Sequence, residues 1–307
     1  MDFFKYEKVR KFKYEVEREN GFYKTGIISF VSPFSSGYPE NDIVYVNFIE
    51  PKKEKFNAII LLHSLYEKEK GHTISFGISL SKEEFGVYLI HLPYHMRRTP
   101  KKYRSGQLFL TGNIERSINA YRQAIIDIMA LCDYLCERKE IEKIGVIGIS
   151  LGAIILNTLM GIEKRIKAGV SILGGGNIHY IFIRSLITMP LVIYGFFRGL
   201  RIRDYKKVAK DYIKFLKEVK EKGIENVECK WKWFLIDPLT YAHLNQPRKV
   251  LLINGFFDLI IPFGAVIQLW NYLGRPEKLF IPSTHTTAIF FKNTILRKTK
   301  KFLKTNL

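Results

Sequence analysis

Gly148-Ile149-Ser150-Leu151-Gly152 is the stretch on which the reading of this chain turns. It follows a short apolar run, Ile144-Gly145-Val146-Ile147, and precedes an apolar helical pattern from Ala153 to Met160. The order is strand, sharp turn, helix, with a serine at the apex. Small residues two before and two after the serine let a strained turn pack closely against its neighbours. The hydroxyl then stands at the strand's end, and the next helix aims its first N–H groups at whatever the serine meets.

Outward from this turn, strand-like and helix-like runs alternate, which predicts a mostly parallel twisted sheet flanked by helices. Gly26 to Val31 and Ile43 to Ile49 read as early strands at an antiparallel edge. Ala58 to Leu62 is a short buried strand, followed by a helix near Ile74 to Phe85 and a strand from Val87 to Leu92. A long polar loop over 94–112 leads into a helix whose apolar positions include Ile118, Tyr121, Ile125, Ile128 and Leu135, at helical spacing. Lys167 to Leu173 is the strand after the serine unit, and Gly174 to Gly176 let backbone approach closely there. The alternation stops over 178–236, then resumes with strands at Val250 to Asn254 and Lys278 to Ile281 and a closing helix from Ala288. The expected organisation is an α/β core over 1–177 and 237–307 with a helical insertion at 178–236.

A serine hydroxyl needs a base to take its proton, and the base needs an acid to hold its tautomer. After a turn of this kind the acid follows a later strand, and the histidine follows the acid. Asp258, in Gly255-Phe256-Phe257-Asp258, comes after the strand ending at Asn254, and Pro262 closes that loop. His285 follows the next strand and is the only histidine after Asp258. Ser150, Asp258 and His285 are therefore the expected catalytic set. The N–H of Leu151 is one expected oxyanion donor. The other comes from His63-Ser64-Leu65, with Leu65 first and Ser64 next. Residues that could touch a substrate are His63, Gly175, and the pair Arg97 and Arg98, which could hold an anionic group. The aromatics Tyr180, Phe182, Tyr194, Phe196 and Phe197 either line an acyl pocket or pack the insertion onto the body.

With these residues the chain resembles the α/β-hydrolase superfamily, in its serine esterase and lipase-like branch. The resemblance covers most of the chain outside 178–236. It implies a serine hydrolase that cleaves a carboxylic ester through an acyl-enzyme on Ser150, and the apolar, basic character of 178–236 suggests a hydrophobic acyl group on the substrate. It also implies a cap or lid at 178–236. Acyltransferase, thioesterase or peptidase chemistry on the same three residues stays open, as does a basic, membrane-associated protein without catalysis. One departure is that Ser64 stands where many members have glycine after the histidine.

The 307 residues are 47% hydrophobic and 25% charged, ordinary for a globular chain. No cofactor motif is evident and no metal site is expected. His91 and His95 have ligand spacing only on a helix, which Pro93 opposes. Cys132, Cys136 and Cys229 make no disulfide framework, and the charged first residues lack the apolar run of a signal peptide, so a cytoplasmic location is expected. The net charge of +20 is spread widely, without zinc-finger or RNA-binding signatures, so no nucleic acid is expected. Peripheral contact with an anionic membrane is the charge-based alternative. Ile178 to Phe197 is interrupted by His179, Arg184 and Pro190, and a span there would split the sheet across the bilayer.

Overall fold

Among the described residues nine strands build one sheet: β1 (Lys13–Glu19), β2 (Tyr23–Val31), β3 (Ile43–Pro51), β4 (Phe56–Leu62), β5 (Gly86–Ile90), β6 (Ile141–Ile149), β7 (Ile166–Ile172), β8 (Lys249–Gly255) and β9 (Glu277–Ile281). The helices among the described residues are α1 (His72–Ser81), α2 (Ile114–Glu137), α3 (Leu151–Ile162), α4 (Ile178–Arg184), α5 (Met189–Phe197), α6 (Ile202–Lys222), α7 (Pro238–Ala242), α8 (Phe263–Tyr272) and α9 (Lys292–Asn306). The structure is a computed structural model that describes residues 2–68, 72–197, 201–245 and 248–307.

The strand order is β1-β2-β3-β5-β4-β6-β7-β8-β9. The pairs from β5 through β4 to β9 are parallel, while β1, β2, β3 and β5 pair antiparallel. Central parallel strands are covered on both faces, so they read as continuous apolar runs. In β4, Ile60 and Leu62 join the core on the α2 and α3 side, and Ile59 and Leu61 join the core beneath α1 and α9. The expected early strands are present and antiparallel. β1 was not anticipated, because Lys-Tyr-Glu-Val-Glu-Arg-Glu lacks an apolar face; it is an exposed edge strand, where charge discourages further pairing.

The region 94–112 differs from the polar loop expected. Tyr94, Met96, Leu108 and Phe109 are buried, and the segment includes a short 3-10 turn at Met96–Arg98. It packs because α2 carries polar groups within its apolar face. Gln123 Oε1 accepts from Asn41 at 2.7 Å, and Asp127 faces Arg98 at 2.8 Å.

The insertion 178–236 is helical, with no strand among its described residues. Its second half is not a separate cap: Tyr212, Phe215, Leu216 and Val219 of α6 are buried with Phe234 in the core of the α2 and α3 side. The buried carboxylate of Asp237 ties the two ends of the insertion together. It accepts from the N–H groups of Asn177 (3.0 Å) and Ile178 at the start, and from Leu239 (2.9 Å) as the N-cap of α7.

Candidate active site

The chain runs from β4 to β5 on one side and returns to β6 on the other, so the carboxyl ends of β4 and β6 flank the crevice where the connections diverge. Ser150 sits at that point. Its φ of 53° and ψ of −111° lie outside the ordinary allowed regions, a strain that surrounding contacts must hold. The Ser150 N–H donates to Ile172 O at 2.9 Å, and the Gly152 N–H donates to His63 O at 3.1 Å. A Cβ at Gly148 would lie 2.2 Å from Gly152 O, and one at Gly152 would lie 2.2 Å from Leu62 O. Both glycines are therefore required by close backbone approach, as the pattern implied.

Ser150, Asp258 and His285 come together although 135 residues separate the serine from the histidine. His285 Nε2 lies 2.9 Å from Ser150 Oγ, and His285 Nδ1 lies 2.7 Å from Asp258 Oδ2. Asp258 Oδ1 accepts from the N–H groups of Ile260 (2.8 Å) and Ile261 (2.9 Å), which fixes the carboxylate in its loop. The Asp258 side chain is 1% exposed and that of His285 14%, so the acid is sealed while the imidazole edge reaches the cleft. With the proton on Nδ1, the ring donates to Asp258 and leaves Nε2 to accept from the serine hydroxyl.

Two sets of N–H groups border this arrangement. Leu151 is the first residue of α3, so its N–H has no intrahelical acceptor. In the turn after β4, the Tyr66 N–H donates to His95 Nε2 and the Glu67 N–H to Ser64 O. The N–H groups of Ser64 and Leu65 have no acceptor among the described residues. The cleft beside the serine measures about 330 Å³. Phe76, Ile149, Ile172, Leu173 and Ile295 give it apolar walls, with Ser64, Glu67 and Lys292 among its polar lining.

No protein-family model matches the chain. Among solved structures it is similar to a cold-adapted esterase from an Arctic intertidal metagenomic library, with a TM-score of 0.62 and 13% identity, covering 97% of this chain and 100% of that one. It is similar also to a Pyrococcus furiosus esterase, with a TM-score of 0.57 and 18% identity over 92% of this chain and 93% of that one. A third neighbour is the Pyrococcus horikoshii acylaminoacyl peptidase, with a TM-score of 0.62 and 15% identity over 93% of this chain and 42% of that one. The chain has the α/β-hydrolase fold. An uncharacterized Mycobacterium tuberculosis protein is 25% identical over 222 residues, 70% of this chain. The chain spans about half of that protein's length, 46%.

Other residues expected at the site of this α/β-hydrolase fold are placed elsewhere. His63 is fully buried, with Nδ1 2.8 Å from Ser64 O and Nε2 accepting from the Leu92 N–H at 3.0 Å. It braces the turn that carries Ser64 and Leu65 and does not reach a substrate. Burial pushes its pKa down to about 4, so it stays neutral. Arg98, expected to hold a substrate anion, is instead fully buried: it faces Asp127 and donates to Asn41 O (2.8 Å) and His91 O (3.0 Å). Arg97 is exposed over the Tyr45 ring and does not line the cleft. Gly175 is buried, and a Cβ there would lie 2.9 Å from Ile261 Cγ2, so it serves packing.

Among the described residues of 178–236, none lines the cleft. Tyr180 packs on Gly264, and Tyr194 and Phe197 are exposed. The side chain of Phe196 lies outside the described residues. The cleft walls instead come from α1 and α9, and sequence reasoning missed Phe76, Lys292 and Ile295. Their signal is spacing: Thr73 and Phe76 share a helical face, as do Lys292 and Ile295. No group of three or more His, Cys, Asp or Glu suited to a metal occurs among the described residues.

Proposed function

We propose that this protein is a serine hydrolase that cleaves a carboxylic ester through an acyl-enzyme on Ser150. The observation that carries the reading is the chain of contacts from Ser150 Oγ to His285 Nε2 and from His285 Nδ1 to Asp258, at the mouth of an apolar cleft. Ser150 Oγ attacks the acyl carbon as His285 Nε2 takes its proton. Asp258 holds the ring and stabilises the imidazolium. The negative charge that develops on the carbonyl oxygen is met by the Leu151 N–H, at the positive end of α3, and by an N–H of the 64–65 turn, Leu65 before Ser64. As the tetrahedral intermediate collapses, the alkoxide leaves with the proton from His285. Water then repeats the sequence on the acyl-enzyme, and the carboxylic acid and free Ser150 result.

A volume of about 330 Å³ is near the small end of ligand pockets, which supports an apolar acyl group of modest length. A fluorophosphonate probe should label the wild type and leave Ser150→Ala unlabelled; equal labelling of both would overturn the assignment. A panel of esters, thioesters and anilides of one acyl group then sorts the acceptor chemistry. The ester reading requires the highest kcat/KM on the ester.

A further inference from the structure

Large apolar side chains on a protein surface are usually scattered singly. Here they gather at one end of the sheet. The segment that leaves β7 exposes Leu186 (53%), Ile193 (48%) and Phe197 (85%), and the loop that leaves β8 exposes Phe257 (64%) and Leu259 (60%). The two segments are adjacent, because the Leu186 N–H donates to Leu259 O at 3.0 Å. Phe257 and Leu259 flank Asp258 in sequence, so this apolar surface begins at the acid of the triad. After His285, Phe290 is exposed beside Ile289, which lines the cleft.

The charge of the segment that carries this surface is mostly positive. Residues 178–222 hold eleven Lys or Arg and four Asp or Glu, a net of +7 within a chain of +20. Arg184 at the end of α4 is exposed, as are Arg203, Lys206, Lys207 and Lys210 on the first turns of α6. A nine-residue helix such as α5 is about 13 Å long, too short to cross a bilayer core of about 30 Å. No helix among the described residues is long and apolar enough to do so. Apolar side chains rimmed by cations suit a surface that offers acyl chains beneath phosphates.

We propose that this end of the sheet docks on an anionic phospholipid surface. Leu186, Ile193, Phe197, Phe257 and Leu259 enter the acyl boundary, and the first turns of α6 lie against the phosphates. The proposal goes beyond the hydrolase reading and does not depend on it.

The test is co-sedimentation of the full chain with phosphatidylglycerol–phosphatidylcholine vesicles and with pure phosphatidylcholine vesicles, at low and high salt. Binding should favour the anionic vesicles and fall as salt rises. Ile193→Ser with Phe197→Ser, both exposed, should weaken it at least tenfold. Arg203→Gln with Lys207→Gln should weaken it about fivefold per charge on anionic vesicles. Both variants should turn over a short water-soluble ester as the wild type does. Absence of binding at low salt, or equal binding to both vesicle types, would overturn the proposal. So would a dimer that Ile193→Ser with Phe197→Ser dissolves, which would give the surface to a second copy of the chain.

Discussion

Asp258 and Asp127 each face a basic side chain, His285 at 2.7 Å and Arg98 at 2.8 Å. Both carboxylates are buried, and each basic group comes from a distant part of the chain. The surroundings separate them. His285 keeps an open edge toward a cleft with a serine hydroxyl in reach, whereas Arg98 is enclosed and bonds two backbone carbonyls. The first pair can move a proton to and from a bound molecule; the second can only brace the 94–112 region against α2. Two differences set their work: an imidazole can give and take a proton whereas a guanidinium keeps its own, and only His285 has access to the cleft.

The largest effect that would break this contrast is at Asp258. Asp258→Asn keeps the shape but reverses the hydrogen-bond preference at Nδ1, so kcat on an ester should fall about 10⁴-fold with the unfolding midpoint little changed. A loss below tenfold would remove Asp258 from the machinery.

The corresponding change at the other pair should act on stability. Arg98→Met leaves Asp127 buried and unpaired and should cost about 3–5 kcal/mol in urea unfolding. Its remaining folded fraction should keep the wild-type KM. A raised KM with unchanged stability would restore Arg98 to substrate binding.

A smaller effect concerns the buried histidines His91 and His63. Burial pushes the pKa of His91 down to about 3 and that of His63 to about 4. Each folded-state value lies below that of the unfolded chain, near 6.5, so the unfolded chain binds the proton more readily. Their stabilisation is complete above pH 6.5 and is lost as pH falls through the window toward the folded values. Neither ring nitrogen of His91 has a hydrogen-bond partner among the described residues, so His91→Phe removes its share alone. Between pH 7.5 and pH 5 the variant should lose about 2 kcal/mol less stability than the wild type. An equal loss would mean that His91 is not held neutral.

The catalytic candidates were readable because each lies in a short motif tied to a strand end. The place after β8 then singled out Asp258, and chain order left one histidine after it. The core strands were readable for a related reason: parallel strands covered on both faces must be apolar throughout. β1 was not, because an edge strand needs no apolar face. Arg98 was misplaced because a cation in a polar stretch looks solvated until its partner is known. Asp127, set among Ile125, Ile126 and Ile128, was the hint that a buried charge waits for one. The cleft walls were hidden for a different reason: α1 and α9 are more than 200 residues apart in the chain, and only the tertiary fold brings Lys292 against Ser75, at 2.6 Å.

By itself the sequence determined the order of the core strands and their helices, the strained serine turn, and the aspartate and histidine that follow it. These depend on local backbone geometry and on hydrophobic period, which a few neighbouring residues set. Tertiary structure alone decided that His63 and Arg98 are scaffolding and that the cleft lies between α1 and α9. It also packed the second half of 178–236 into the core and left an apolar surface beside Asp258. Burial and access are properties of segments brought together from across the chain, and no local pattern carries them.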